Sequence, residues 1–159
     1  MKFLVLCACE KVIIDKNGAH SLINIMQNAE LQNVPQSGAN ASAMMQASEL
    51  PSNAVLPQLW FVFSIWQPSS DEVGKTFQQM HQIFWPDGTK FMDGPLEFKP
   101  DESYQQNSFG VLGFPVGQPG PVRIVTWVED RGRPITETHE YFIRVKHAAP
   151  VSPVTAPTK

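Results

Sequence analysis

Two thiols, four imidazoles and four indoles are the side chains of this chain with the most chemistry to offer. Cys7 and Cys9 stand two residues apart, so on a strand both point to one face. Two neighbouring thiolates begin a soft-metal site. Zinc, however, asks for four ligands in spaced pairs, and no second pair follows. Bridging Cys7 to Cys9 would close an awkward, tight ring, so both read as free, buried thiols. Among His20, His81, His139 and His147, His81 shares one strand face with Phe77, Gln79, Ile83 and Trp85. It reads as an ordinary sheet residue, satisfied or half-exposed, rather than as a base. Glu137, His139 and Tyr141 share one strand face and could exchange protons, but no sequence feature supplies a nucleophile to face them.

Motifs with defined mechanics are missing. The chain has no GxxxxGK[ST] or GxGxxG loop to cradle phosphates, no GxSxG elbow, no HExxH and no CxxC. Gly110-Val111-Leu112-Gly113 lies in strand-like sequence and reads as a bulge. No cofactor, metal or catalytic residue is expected, and a hydrolase of unknown type is the enzymatic alternative.

The elements that position these residues are strands. Residues 3–14 are apolar, Asp15-Lys16-Asn17-Gly18 signals a hairpin, and residues 20–26 return. The 34–54 segment is rich in Gln, Asn, Ser and Ala. It reads as an inserted loop in which residues 39–50 suit a short helix. Residues 56–66 carry two apolar faces, with Leu59, Phe61, Phe63 and Ile65 against Trp60, Val62, Ser64 and Trp66. If the first set faces the core, Trp60, Val62 and Trp66 point outward and form a partner surface, unless the 34–54 insertion covers them. Residues 75–85 alternate, and Pro86-Asp87-Gly88 makes a tight turn. Residues 89–92 and 96–99 are expected as separate short pieces, interrupted at Asp93-Gly94-Pro95. Three more strands fall in residues 104–116, 122–128 and 135–145. The Pro-rich residues 148–159 are expected to be a disordered tail, leaving 1–147 as one domain.

Short strands separated by turn signals, with no alternating helices, indicate an all-β chain. The expected architecture is an antiparallel two-sheet sandwich of about seven to eight strands.

Composition excludes whole classes of partner. The 159 residues are 42% hydrophobic and 17% charged, with 12 Lys and Arg against 15 Asp and Glu. No basic cluster exists to displace counterions from a phosphate backbone, so no nucleic acid is expected. No stretch approaches the ~20 apolar residues of a membrane helix. The apolar run before Cys7 covers only residues 3–6, short of the ~7–15 of a secretory core, so it reads as the first strand of a cytoplasmic protein.

The order of elements resembles a bacterial family of small, uncharacterised β-sandwich proteins. The carrying residues are Cys9-Glu10-Lys11-Val12, Asp15-Lys16-Asn17-Gly18, Ser21-Leu22-Ile23-Asn24-Ile25, Trp85-Pro86-Asp87-Gly88-Thr89 and Pro119-Gly120-Pro121-Val122-Arg123-Ile124. The resemblance spans residues 3–146 and departs from the family pattern at the 34–54 insertion. It implies an immunoglobulin-like or C2-like fold and no catalytic site.

The expected function is a non-enzymatic module that binds a protein partner or itself. A carbohydrate or other small-ligand sandwich is the alternative, with Trp85 and Trp127 as the stacking candidates.

Overall fold

The computed structural model describes residues 1–31, 34–35, 44–45, 50–101 and 103–148. In chain order the strands are β1 (Lys2–Ile14), β2 (His20–Ile25), β3 (Asn28–Leu31), β4 (Val34–Pro35), β5 (Met44–Met45) and β6 (Val55–Gln67). They continue with β7 (Phe77–Phe84), β8 (Lys90–Phe98), β9 (Gln105–Pro115), β10 (Gly120–Asp130), β11 (Arg133–Pro134) and β12 (His139–His147). Among the described residues there is no helix. Four strands form one sheet in the order β2-β1-β6-β9. Six form the other, in the order β3-β12-β10-β7-β8 with β11 beside β10.

These ten strands exceed the expected seven or eight for two reasons. The four-residue β3 has too little sequence to show a period, and the two-residue β11 is only the mouth of a hairpin. The ladders are antiparallel except β3 on β12, which is parallel. The 34–54 insertion contributes the two-stranded β4-β5 ribbon. The rest of the expected 39–50 helix lies outside the described residues, apart from Leu50. So does the expected tail, apart from Ala148.

Local chemistry fixes the turns. Asp15 accepts on one carboxylate oxygen from the amides of Asn17 (2.7 Å) and Ala19 (2.9 Å), and Gly18 closes the turn at φ +81°. Asp87 does the same for Thr89, and Gly88 donates to the Trp85 carbonyl at 2.9 Å. The expected break at Asp93-Gly94-Pro95 does not occur, and β8 runs through it. As an edge strand, β8 can carry Pro95 without losing a ladder bond.

One strand changes partner. β1 pairs with β6 through residues 2–9 and with β2 through residues 9–14, so the switch falls at Cys9. The chain then crosses between sheets at residues 26–27. The Met26 amide donates to Ala8 in one sheet, and the Gln27 carbonyl accepts from the Arg144 amide in the other.

Both sheets bury their inward faces against a shared core. It is layered. At one end Trp60, Val62, Val111, Ile83, Val122, Ile124 and Ile143 pack together. At the other end sit Trp66, Phe77, Phe98 and Val128. Between them lies a buried polar layer of Ser64, Gln79, His81, Asn107 and Thr126. The order repeats along each strand: Trp60 and Val62, then Ser64, then Trp66 on β6, and Ile83, then His81 and Gln79, then Phe77 on β7.

Gln79 is the hub. Its amide oxygen accepts from Ser64 (3.0 Å), Trp66 Nε1 (3.1 Å) and Asn107 (2.7 Å), and its amide nitrogen donates to Thr126 at 2.8 Å. Ser64, Trp66 and Asn107 belong to one sheet, Gln79 and Thr126 to the other. Substituting Gln79→Leu leaves several buried polar groups facing hydrocarbon, each costing about 1–3 kcal/mol. Urea unfolding should show a loss of about 3 kcal/mol, and a loss below about 1 kcal/mol would show the hub to be dispensable.

Candidate binding surface

The strand that decides the surface is β6. Its inward set is Trp60, Val62, Ser64 and Trp66, the reverse of the sequence expectation. Trp60 and Trp66 are each 0% exposed and Val62 is buried, so none of the three belongs to a partner surface. The reason is chemical. Both faces are apolar, so alternation cannot choose between them, but the indoles find hydrogen-bond acceptors only inside. Trp60 Nε1 donates to the Gly113 carbonyl at 2.9 Å, and Trp66 Nε1 reaches Ser64 and Gln79.

Leu59, Phe61, Phe63 and Ile65 therefore face outward. Register places them beside Val5, Cys7 and Cys9 of β1 and Leu112 of β9. Part of this face is covered from within the chain. The tip of the β1–β2 hairpin reaches the start of β9, where Gly18 and His20 share a cleft with Tyr104 and Gln106. The His20 ring lies 5.5 Å from that of Phe63. Phe63, Cys7 and Cys9 are buried on this face. Burial first, and Cys9 beside it second, push the Cys7 thiol up to about 11, and burial raises Cys9 as well.

The uncovered part is apolar. Leu59 and Leu112 are directly opposite in register and 52% and 76% exposed. The Leu59 and Phe61 side chains lean toward Gly110, the small residue between them on β9. Ile25 is exposed too, and shares a cleft of about 360 Å³ with Leu56 and Gln58 at the start of β6. The β1–β2 hairpin adds exposed Ile13 and Ile23. No charged side chain stands among Leu59, Phe61, Gly110 and Leu112.

The stacking candidates do not meet. Trp85 lies on the inward side of the other sheet, buried and edge-on to Phe91 at 5.2 Å. Trp127 is opposite Met80 on that sheet's outer side, its indole nitrogen donating to Glu129 at 2.7 Å. Four residues earlier on β10, the Arg123 guanidinium covers the Phe84 ring at 4.4 Å and pairs with Glu140 at 3.0 Å.

The expected strand from residue 135 begins only at His139, so Glu137 stands before it, exposed, and does not share a strand face with His139 and Tyr141, which are committed elsewhere. His139 stacks on Phe3 at 3.7 Å and meets Trp66 edge-on. Desolvation lowers its pKa, against a smaller raising effect of Glu137. The Tyr141 hydroxyl donates to the Met26 carbonyl at 2.9 Å. Among the described residues no three His, Cys, Asp or Glu side chains are grouped to hold a metal ion. No helix there is long and apolar enough to cross a membrane.

Comparisons with protein-family models, with curated proteins and with solved structures find no match. The site thus rests on its own geometry. Leu112 was missed in the sequence because residues 104–116 alternate weakly, and only its register opposite Leu59 reveals the pair.

His81 departs most from its sequence reading. It is 1% exposed, stacks on Phe109 at 4.5 Å, and neither ring nitrogen has a hydrogen-bond partner. Burial pushes its pKa down to about 4. Above pH ~6.5 the ring is neutral both folded and unfolded. As the pH falls from there, the unfolded chain binds a proton that the folded chain refuses. Stability therefore drops between pH 6.5 and about 4, by about 3 kcal/mol in all, and no further below that. Urea unfolding across this window should show the drop shrinking in His81→Leu, and equal slopes in the two proteins would refute the assignment. The thiols give a second check. At pH 8 a thiol reagent should label Cys7 and Cys9 far more slowly in the folded than in the urea-unfolded protein. Equal rates would show the thiols to be accessible in the folded protein.

Proposed function

We propose that the chain is a two-sheet β-sandwich, of the immunoglobulin-like or C2-like kind that its sequence resembles. Its function is to bind a protein or to assemble with itself, without catalysis, in a bacterial cytoplasm. The sandwich reading is supported by the single core that both sheets share. The binding reading is carried by one observation: the uncharged, outward-facing Leu59–Leu112 pair, flanked by Phe61 and set on Gly110. A solvated sheet face ordinarily alternates toward polar side chains, whereas this one presents large aliphatic groups in register. An uncharged aliphatic pair is complementary to a second copy of itself, which is what a two-fold interface requires. Another protein's apolar face fits on the same grounds. His139 and Tyr141, which sequence reasoning offered for acid–base chemistry, are occupied by packing, which also favours binding over catalysis.

Sedimentation of the wild type beside Leu59→Glu/Leu112→Glu tests this. The wild type should self-associate, or retain a stoichiometric partner from its host lysate. The double variant should lose that association by about tenfold or more, the equivalent of about 1.4 kcal/mol, with unchanged circular dichroism. A wild type that stays monomeric and retains nothing the variant loses would overturn the reading.

A further inference from the structure

We propose that the outer edge of β9 pairs antiparallel with β9 of a second copy of this chain, joining two four-stranded sheets into one continuous sheet. The pairing rests on the self-assembly reading above, and it names the partner and the geometry.

The first sheet ends in β2 and β9, the second in β3 and β8. An edge strand offers unpaired amides and carbonyls to any extended chain, and proteins ordinarily blunt it by shortness, charge, proline or a bulge. Three of these edges are blunted. β3 is four residues long and carries Glu30. β2 has six residues, and Asn24 takes φ +52°, outside the extended range of a regular ladder. β8 carries Pro95, which has no amide to donate, together with Lys90, Asp93 and Glu97. β9 differs. Its residues 105–112 pair with β6 from Trp66 to Leu59 without a register shift. They include no charged residue and no proline, and positive φ begins only at Gly113. Among the described residues no strand pairs with their other side. Alternate residues there turn both amide and carbonyl away from β6.

Charge selects the occupant. A strand that is neutral along its whole length meets its own copy without like-charge repulsion, and it offers an acidic or basic peptide nothing to pair with. An antiparallel pair is also what a two-fold axis generates from one strand. Residues that face each other across a ladder share a sheet face, so opposed positions in the two copies have the same parity. Gln106, Ser108, Gly110 and Leu112 lie on the outward face, beside Ile65, Phe63, Phe61 and Leu59 of β6. An axis at Phe109 satisfies the parity and pairs the whole stretch from Gln106 to Leu112. It sets Leu112 opposite Gln106 of the second copy, and Gly110 opposite Ser108 of the second copy. Leu112, 76% exposed in the single chain, is thereby covered on its open side.

The test is amide hydrogen exchange of the intact protein, read by NMR across a concentration series, with sedimentation at the same concentrations. A dimer should form as the concentration rises. Where nine-tenths of the chains are dimeric, alternate amides within residues 105–112 should exchange about tenfold more slowly than in the monomer. The amides between them, already bonded to β6, should not change. Ser108→Lys/Gly110→Lys sets like charges directly opposite each other twice across the axis. A Cβ at Gly110 meets Phe61 at an ordinary 3.5 Å, so the folded chain accommodates the change. This variant should dimerise about tenfold more weakly or worse, with unchanged circular dichroism. A dimer whose β9 amides exchange as in the monomer would overturn the edge pairing while leaving self-association through the Leu59–Leu112 face intact. A chain that stays monomeric throughout, or a folded double-lysine variant that dimerises as well as the wild type, would overturn it too.

Discussion

One amide oxygen, that of Gln79, accepts hydrogen bonds from Ser64, Trp66 and Asn107 across the space between the sheets. The rest of the interior is arranged around that convergence. Apolar layers above and below can slide with little penalty, because hydrocarbon contacts are not directional. A polar layer cannot, since every displaced donor stays buried and unpaired. Moving β7 by two residues would set Gln79 against Val62 or Phe77's neighbours and leave Trp66 Nε1 with one acceptor fewer. The layer therefore fixes how the two sheets register, at the cost of one unsatisfied ring, His81.

Much of this was legible where the signal is local. Asp15-Lys16-Asn17-Gly18 and Pro86-Asp87-Gly88 turn the chain because positive φ and side-chain acceptors are properties of those few residues. Gln79 and His81 fell on one face with Phe77, Ile83 and Trp85 by simple alternation, and they do share it. Long-range facts were not legible. The Asn28–Leu31 strand is recognisable only beside β12, which lies far along the sequence. The inward face of β6 depends on where two indole N–H groups find acceptors, and those acceptors come from β7 and β9. The continuity of β8 through Pro95 depends on its being an edge, a property of the sheet rather than of the strand.

The candidate surface failed to show in the sequence for the same reason. Leu59 and Leu112 are unremarkable aliphatic residues until register sets them opposite each other. Trp60 and Trp66 drew attention by size, and size took them inside, where they fill the two ends of the core. The alternative sugar-stacking pair, Trp85 and Trp127, stands on opposite faces of one sheet, separated by the parity of their positions.

The crossing at residues 26–27 has a consequence for how the molecule is made. β1 and β2 can pair as a hairpin as soon as they leave the ribosome, and β6 can join them soon afterward. β3 is different, because its partner β12 lies more than a hundred residues later in the sequence. Until then the backbone groups of Asn28–Leu31 stay unpaired, and the buried Leu31 has no finished core to enter. β3 thus joins its sheet only after β12 has been made, although it follows β2 directly in the chain.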